Sequence, residues 1–176
     1  MKPKESVIAT VVYLITEDTV CLARKKQDIH IGKEKLKKSK HIWTGYGGKR
    51  EPEDVSVRDT AVRELKQESG VDASPHNLIP AAKIRFFWPG NISNTPNMDV
   101  YFFFLGTWTG KPKETKEMGE PKFFKLDAIP YEDMIVNDSY FFPKIIANEK
   151  VVADVFLGDE YEGGMKVIEK KEELIV

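Results

Sequence analysis

The chain has too little cysteine for a disulfide-bonded protein and no apolar run long enough for a membrane-spanning one. Its single cysteine, Cys21, lies in the apolar stretch TVCLA, so no internal disulfide and no paired-thiol motif can form. No apolar stretch approaches the roughly 20 residues of a membrane span, and the opening MKPKESVIATVV has no signal-peptide cleavage pattern. We therefore expect a cytoplasmic protein that does not bind membranes and that buries the Cys21 thiol.

An excess of positive charge is also missing. Lysine and arginine number 27 against 28 aspartates and glutamates, for a net charge of −1, whereas domains that bind long nucleic acid usually carry a basic excess. The three histidines, His30, His41 and His76, have no metal-binding spacing, and the chain contains neither a G-x-S-x-G elbow nor a P-loop lysine motif. We expect a monomer with a small-molecule partner.

What is present indicates one domain, 1–176, of the α/β (α+β) class. Stretches rich in β-branched and aromatic residues predict seven strands, in SVIATVVYLI, VCLAR, AAKIRFFW, MDVYFFFLGTW, PKFFKLD, VVADVFLG and GMKVIEK. Helices are predicted at 52–69 and 138–150, the second with Pro143 in its first turn. The lysine-rich stretch 25–41 is predicted to be an exposed loop. The expected architecture is a mixed sheet with helices packed on its faces.

The helix predicted at 52–69 carries an unusual acidic edge. Apolar residues recur every four positions from 57 to 65, and Gly70 marks the end of the helix. Glu64 and Glu68 fall at one edge of this apolar arc, with Arg63 and Gln67 just beyond them. Carboxylates next to a core-facing stripe are partly desolvated, which is unfavourable unless a cation or hydrogen-bond donors compensate.

A glycine-rich turn, WTGYGGK, precedes this helix and marks a place where the backbone bends or approaches a ligand. Clustered carboxylate oxygens are ligands that Mg²⁺ prefers, commonly together with substrate phosphates. The pattern favours a metal-dependent site for a phosphorylated substrate. The alternative is an ordinary amphipathic helix with acids on its surface.

The segment resembles the Nudix box, G-x5-E-x7-R-E-U-x-E-E-x-G-U, where U is aliphatic. The matching residues are Gly48, Arg63, Glu64, Leu65, Glu68, Gly70 and Val71. Four further stretches, IWTGYGGK, MDVYFFF, KEMGEPKFFKLDAIPYEDM and NDSYFFP, resemble the branch of the family that hydrolyses oxidised purine nucleoside triphosphates such as 8-oxo-dGTP. The resemblance covers about 7–169 and implies the Nudix α/β/α sandwich with a central mixed sheet. It also implies a Mg²⁺ requirement, with Mn²⁺ as a substitute, and cleavage to a nucleoside monophosphate and pyrophosphate that sanitises the nucleotide pool.

The resemblance assigns roles to five residues near the metal. It implies that Glu64 and Glu68 are metal ligands and that the carbonyl of Gly47 is a further ligand. Arg63 is implied to orient a carboxylate of the cluster. Glu117, in KEMGE, matches a loop acid that acts as a ligand or as the general base, and the choice of base between Glu64 and Glu117 stays open.

The chain departs from the box in three places. The segment between the glycine turn and Arg63 is one residue longer than in the box. The position of the first box acid falls on Val55, so either Glu53 or Asp54 takes its place through a loop shift, or Arg63 has lost its partner. Gln67 replaces the first acid of the Glu-Glu pair and offers only an uncharged carbonyl oxygen near the metal.

The implied base pocket also differs from the oxidised-purine branch. Thr44 stands where that branch has Asn, and Ile135 stands where it has a Trp that stacks on the purine. The two neighbouring Asp residues that contact the base edge fall at Asn137 and Asp138. An amide can donate as well as accept hydrogen bonds, so the preferred base edge is expected to change.

Other residues are candidates for contacts with the base and the phosphates. Phe86, Phe87 and Trp88 are candidates for the aromatic ring missing at Ile135. Arg24 and Lys25, at the end of the second predicted strand, match basic residues that the family places near the phosphates.

Two alternatives to a purine triphosphate hydrolase remain at this point. The first keeps the chemistry but moves it to another nucleoside diphosphate derivative, such as a dinucleotide or a nucleotide sugar. The second is a catalytically weak nucleotide-binding module on a Nudix scaffold.

Overall fold

The computed structural model describes residues 5–27, 30–31, 34–35, 42–135, 137–160 and 164–176. The strands are β1 Val7–Ile15, β2 Thr19–Arg24, β3 His30–Ile31, β4 Glu34–Lys35, β5 Trp43–Thr44, β6 Leu78–Phe87, β7 Met98–Leu105, β8 Lys122–Lys125, β9 Val151–Leu157 and β10 Met165–Glu169. The α-helices are α1 Val57–Ser69 and α2 Asp138–Ile146, and short 3-10 helices span Pro75–Asn77 and Tyr131–Asp133.

Eight of these strands form one mixed sheet, confirming the predicted architecture. The order is β10-β9-β6-β7-β1-β2-β5, with β8 pairing with β2 outside this path. The pairs β1–β7 and β6–β9 are parallel, while the other pairs of the sheet are antiparallel. All seven predicted strands lie in this sheet. Most of the loop predicted at 25–41 lies outside the described residues, and its described part contains the β3–β4 hairpin.

The side chains of β1 point alternately to the two faces of the sheet. A helix packs on each face. On one face, Leu14 packs in a buried cluster with Leu65 of α1. On the other, Tyr13 packs with Phe142 of α2, with the two ring centroids 4.6 Å apart. The α/β/α layering is therefore confirmed, and Cys21 is buried in the α1 layer as predicted.

The helix predicted at 52–69 begins later than expected, at Val57. Ser56 is its N-cap residue, and the Ser56 hydroxyl accepts a hydrogen bond from the backbone N–H of Asp59 at 3.2 Å. The preceding residues form a turn in which Asp54 accepts from the N–H of Glu51 at 2.9 Å. At the other end Gly70 adopts φ 79°, the left-handed conformation that ends a helix, as predicted.

The second helix is shorter than predicted and has Pro143 as its sixth residue rather than in its first turn. It ends at Ile146 because Asn148, with φ 65°, is in the left-handed conformation. Within the described ranges, no helix is long and apolar enough to span a membrane.

Candidate active site

The glycine turn lies directly against β1 and the acidic edge of α1. The backbone N–H of Thr10 donates to the carbonyl of Gly48 at 2.9 Å. A Cβ atom on Gly48 would lie 2.6 Å from the Glu64 carboxylate, and one on Gly47 would lie 1.9 Å from the Thr10 carbonyl oxygen. A side chain at position 47 would overlap the backbone of β1, so only glycine fits there, and the lack of a side chain at Gly48 leaves room for the Glu64 carboxylate beside the turn.

Glu68 is almost fully buried, with 2% of its surface exposed. Its Oε1 accepts a hydrogen bond from Lys25 Nζ at 2.5 Å, and its Oε2 accepts from the backbone N–H of Gly47 at 2.7 Å. Burial raises the pKa of Glu68, and the charge of Glu64 raises it further, while Lys25 and the Gly47 N–H lower it. Glu68 is thus a buried carboxylate that accepts from one side-chain donor and one backbone donor.

Arg63 joins three side chains of the acidic edge. Its Nε and Nη2 donate to the two carboxylate oxygens of Asp54 at 2.9 and 2.8 Å. Its Nη1 donates to Glu64 Oε1 at 2.9 Å and to Gln67 Oε1 at 3.0 Å. A guanidinium held in this bidentate way has little freedom, so it fixes the orientation of Glu64.

Asp54 is the partner of Arg63, which the sequence left open between Glu53 and Asp54. Its side chain is buried and also accepts from the Thr60 hydroxyl at 3.0 Å, whereas Glu53 is exposed and Val55 is 87% exposed. The hydrogen bonds from Arg63 hold the pKa of Asp54 well below its usual range. The inserted residue shifts the acid one position further from Arg63, and the turn before α1 absorbs the shift.

Glu117 lies on a turn that is hydrogen-bonded to α1 and to the residues that follow β2. The Thr115 hydroxyl donates to the Glu68 carbonyl at 3.1 Å, and the backbone N–H of Lys26 donates to the Glu117 carbonyl at 2.8 Å. Burial raises the pKa of Glu64, and the charge of Glu117 adds to this rise while Arg63 opposes it. Glu117 is therefore close enough to Glu64 for the two carboxylates to repel each other.

A cavity of about 400 Å³ opens beside this cluster. It brings together most of the residues that the sequence predicted for substrate or metal: Lys25, Thr44, Gly47, Phe86, Glu117, Ile135, Asn137 and Asp138. Arg24 lies elsewhere, with its guanidinium 4.6 Å from the centre of the Trp43 ring and 3.4 Å from Asp133. Side chains alternate along β2, so Arg24 and Lys25 point to opposite faces of the sheet.

Three aromatic residues line the cavity: Phe86, Trp88 and Phe102. Phe86 and Trp88 both face it, with ring centroids 6.4 Å apart. Phe87 points to the other face of β6 and stacks on Phe156 at 4.6 Å. Of the three candidates for a ring near Ile135, Phe86 and Trp88 are the two positioned at the cavity.

The polar end of the cavity is formed by two neighbouring buried residues. Asn137 Nδ2 donates to Asp138 Oδ1 at 3.0 Å. Burial raises the pKa of Asp138 to about 8, so this carboxyl is protonated at neutral pH and can donate a hydrogen bond.

We expect Asp138→Asn to remove a pH-dependent loss of stability. The folded-state pKa lies above the value of about 3.9 for an exposed carboxyl, so only the folded state holds the proton between the two values. The free energy of unfolding of the wild type therefore falls as the pH rises from about 4 towards about 8. Asparagine has no such proton, so the variant should lose less thermal stability over this window.

Thermal unfolding at pH 5, 6.5 and 8 measures this difference. Asp127→Asn, which changes an exposed carboxyl, is the matched control and should follow the wild type. Parallel pH profiles for the wild type and Asp138→Asn would contradict the assignment of a buried, protonated carboxyl.

One residue of the cavity, Thr10, belongs to no motif in the sequence and was not predicted. Its hydroxyl is buried and has no hydrogen-bond partner within the described part of the chain, and the residue lines the cavity. A buried hydroxyl without a partner is unfavourable, so it is available to a ligand atom.

The donor set of the site fits a hard divalent cation. Glu64, Glu68 and Glu117 supply carboxylate oxygens; burial raises the pKa of Glu64 and of Glu68, and the charge of a neighbouring carboxylate adds to each rise. Within the described ranges, no three acidic, histidine or cysteine side chains already converge as a formed metal site. Oε1 of Glu68 accepts from Lys25 and Oε2 accepts from the Gly47 N–H, so a cation that binds this buried carboxylate would lie close to the Lys25 ammonium.

Comparisons with known proteins bear on the family and on the fold. A model of the NUDIX domain matches residues 5–145. The oxidized purine nucleoside triphosphate hydrolase of Mus musculus is 31% identical over 141 residues, which cover 80% of each protein. The protein of the same name from Danio rerio is 30% identical over 167 residues, which cover 94% of each. A solved MutT protein from Bacillus halodurans shares the fold, with a TM-score of 0.70 at 17% identity over 95% of this chain and 99% of that one.

Proposed function

The chain belongs to the Nudix family, and on that premise we propose that it is a Mg²⁺-dependent hydrolase of oxidised or otherwise modified purine nucleoside triphosphates such as 8-oxo-dGTP. The products are the nucleoside monophosphate and pyrophosphate. The observation that carries the proposal is one cavity whose lining joins Glu117 and the glycine turn, against which Glu64 and Glu68 lie, to aromatic rings and to Asn137 and Asp138. The names of the two curated relatives support the same substrate class.

The triphosphate would lie at the acidic end of the cavity. Glu64, Glu68, Glu117 and the Gly47 carbonyl are the groups that would hold Mg²⁺, with Mn²⁺ as a substitute. When bound, the metal neutralises phosphate charge and makes a water molecule more acidic. Electrostatic stabilisation and positioning provide most of the catalysis in phosphoryl transfer, and the bidentate bond between Arg63 and Asp54 keeps the cluster in position.

Glu64 is the better candidate to accept the proton of the attacking water. Arg63 donates to one of its carboxylate oxygens at 2.9 Å, and burial raises the pKa of Glu64 above that of an exposed carboxyl, which makes it a stronger base. Glu117 is exposed on a turn and has a less restricted carboxylate. Glu117 then acts as a metal ligand that closes the cluster from the solvent side.

The purine would lie between apolar and aromatic walls. Phe86 and Trp88 supply the rings, and Ile135 supplies apolar contact where the branch has a tryptophan. Asn137 and the protonated Asp138 offer donors as well as acceptors to the base edge.

We expect Trp88→Ala to raise the KM for the purine substrate by about tenfold, because a base stacked on an aromatic ring gains about 1–3 kcal/mol. Trp88→Phe keeps a ring and should stay close to the wild type. Steady-state kinetics with each variant measures KM and kcat separately. Equal KM values for the wild type and Trp88→Ala would show that Trp88 does not contact the base.

A screen of oxidised and ordinary nucleoside triphosphates, dinucleotides and nucleotide sugars tests the substrate class. The assay measures pyrophosphate or phosphate release in Mg²⁺ and in Mn²⁺. The proposal expects the highest kcat/KM for a modified purine triphosphate. A clear preference for a dinucleotide or a nucleotide sugar would replace the substrate and keep the chemistry.

A catalytically weak nucleotide-binding module is the second candidate, and one observation favours it. Gln67 replaces an acid of the Nudix box, and its carbonyl oxygen is held by Arg63 at 3.0 Å. The cluster therefore has one negative charge fewer for binding metal. Calorimetric binding of nucleotides without turnover in either metal would support this candidate over the enzyme.

A further inference from the structure

Lys25 lies where the acidic cluster meets the cavity. Its backbone is fixed just beyond the end of β2, because its N–H donates to the carbonyl of Ile42 at 3.0 Å and it bridges to Met118. Its side chain lines the cavity, is 19% exposed, and ends 2.5 Å from Oε1 of the buried Glu68. A carboxylate as buried as Glu68 requires compensation, and Lys25 provides the compensating positive charge.

The two donors to Glu68 differ in mobility. The Gly47 N–H belongs to a backbone segment that is hydrogen-bonded to β1 on both sides of it. Lys25 carries its ammonium on a flexible four-carbon stem. A cation that takes Glu68 as a ligand would repel the nearby Lys25 ammonium, and the flexible Lys25 side chain can move away whereas the Gly47 backbone cannot.

We propose that Lys25 is an exchangeable counter-ion of Glu68: a divalent cation replaces the ammonium, which turns into the cavity and binds a substrate phosphate. This inference rests on the proposed function. In this model, Lys25 weakens the binding of metal when no nucleotide is present. It strengthens the binding of nucleotide. Since such coupling is reciprocal, a nucleotide that takes up Lys25 also raises the affinity of Glu68 for metal.

A permanent ion pair between Lys25 and Glu68 is the alternative. In that case the loss of Lys25 would disturb the cluster and weaken binding of both metal and nucleotide. The exchange model predicts effects of opposite sign for the two ligands, which a structural role does not produce.

The first measurement is the Kd for Mn²⁺ without nucleotide, obtained from the electron paramagnetic resonance signal of free Mn²⁺ at pH 8. Lys25→Met should bind Mn²⁺ about tenfold more tightly than the wild type, because a unit positive charge a few ångströms from the cation is removed. Lys25→Arg keeps the charge and should bind within twofold of the wild type. Lys66→Met removes the same charge from the exposed side of α1, where Lys66 pairs with Asp72, and should also stay within twofold.

The second measurement is calorimetric binding of an α,β-imido purine nucleoside triphosphate in the presence of saturating Mn²⁺. Lys25→Met should bind this non-hydrolysable nucleotide about tenfold more weakly, through loss of one phosphate contact. Thermal unfolding and Lys25→Arg together show whether the site remains folded.

Unchanged or weaker Mn²⁺ binding by a folded Lys25→Met variant overturns the exchange model while the proposed metal site stands. Absence of Mn²⁺ binding by the wild type overturns both. Tighter Mn²⁺ binding with unchanged nucleotide binding also overturns the proposal, because Lys25 would then not reach the phosphates.

Discussion

Glu64→Gln is expected to lower the kcat for pyrophosphate release by about 10³-fold. The amide keeps the shape of the side chain but can no longer accept the proton of water or contribute charge to metal binding. Glu64 lies against Gly48, and its Oε1 accepts a hydrogen bond from Arg63 at 2.9 Å, a contact that the amide oxygen of the variant can keep.

The fold should survive this substitution. Burial raises the pKa of Glu64, which means that its charge is unfavourable where it lies, and the neutral amide removes that cost. We expect a melting temperature equal to or above that of the wild type. Glu173→Gln, which changes an exposed acid near the end of the chain, should leave both kcat and stability unchanged. A kcat within threefold of the wild type for Glu64→Gln would rule out its assigned role.

Asp54→Ala is expected to lower the free energy of unfolding by about 3 kcal/mol, because removing one member of a buried ion pair leaves the other uncompensated. Arg63 would lose both hydrogen bonds of its bidentate contact and would no longer fix Glu64. We therefore also expect kcat to fall by about tenfold or more, since small misplacements of catalytic groups are costly. Urea unfolding and steady-state kinetics measure the two effects.

The stability effect has a defined pH dependence. Arg63 lowers the folded-state pKa of Asp54. The ion pair therefore stabilises the fold above the unfolded-state pKa of about 3.9. This stabilisation is lost as the pH falls below that value and Asp54 becomes protonated. The difference between the wild type and Asp54→Ala should therefore shrink below about pH 4.

The family pattern places the partner of Arg63 at position 55, whereas the structure has Asp54 in that role. Variants at Val55 test which of the two positions matters. Val55→Ala should change stability by less than about 0.5 kcal/mol because the side chain is 87% exposed. Adding Val55→Asp to Asp54→Ala should restore neither stability nor kcat. Restored stability or kcat would mean that an acid at position 55 can also pair with Arg63, and that the account of Asp54 is wrong.

The sequence predicted the elements whose patterns are local. The strands follow from runs of β-branched and aromatic residues, and α1 follows from its four-residue repeat and from Gly70. Glu64 and Glu68 share one edge of α1 because both lie on the same helix, so their placement needed no tertiary information.

Features that depend on contacts between distant segments could not be predicted in the same way. Lys25 and Glu68 are 43 residues apart, and only the folded sheet brings them to 2.5 Å. Whether Phe87 or Trp88 faced the cavity depended on the register of β6, which shifts at a bulge near Pro80. The choice of Asp54 over Glu53 depended on how a one-residue insertion is absorbed in a turn.

The most direct test of the central claim is analysis of the products formed from 8-oxo-dGTP and dGTP with Mg²⁺ and with excess chelator. We predict equal amounts of nucleoside monophosphate and pyrophosphate, formed only with the divalent ion and with a higher kcat/KM for the oxidised nucleotide. Release of inorganic phosphate with a nucleoside diphosphate, or no product from any purine triphosphate in Mg²⁺ or Mn²⁺, would contradict the account.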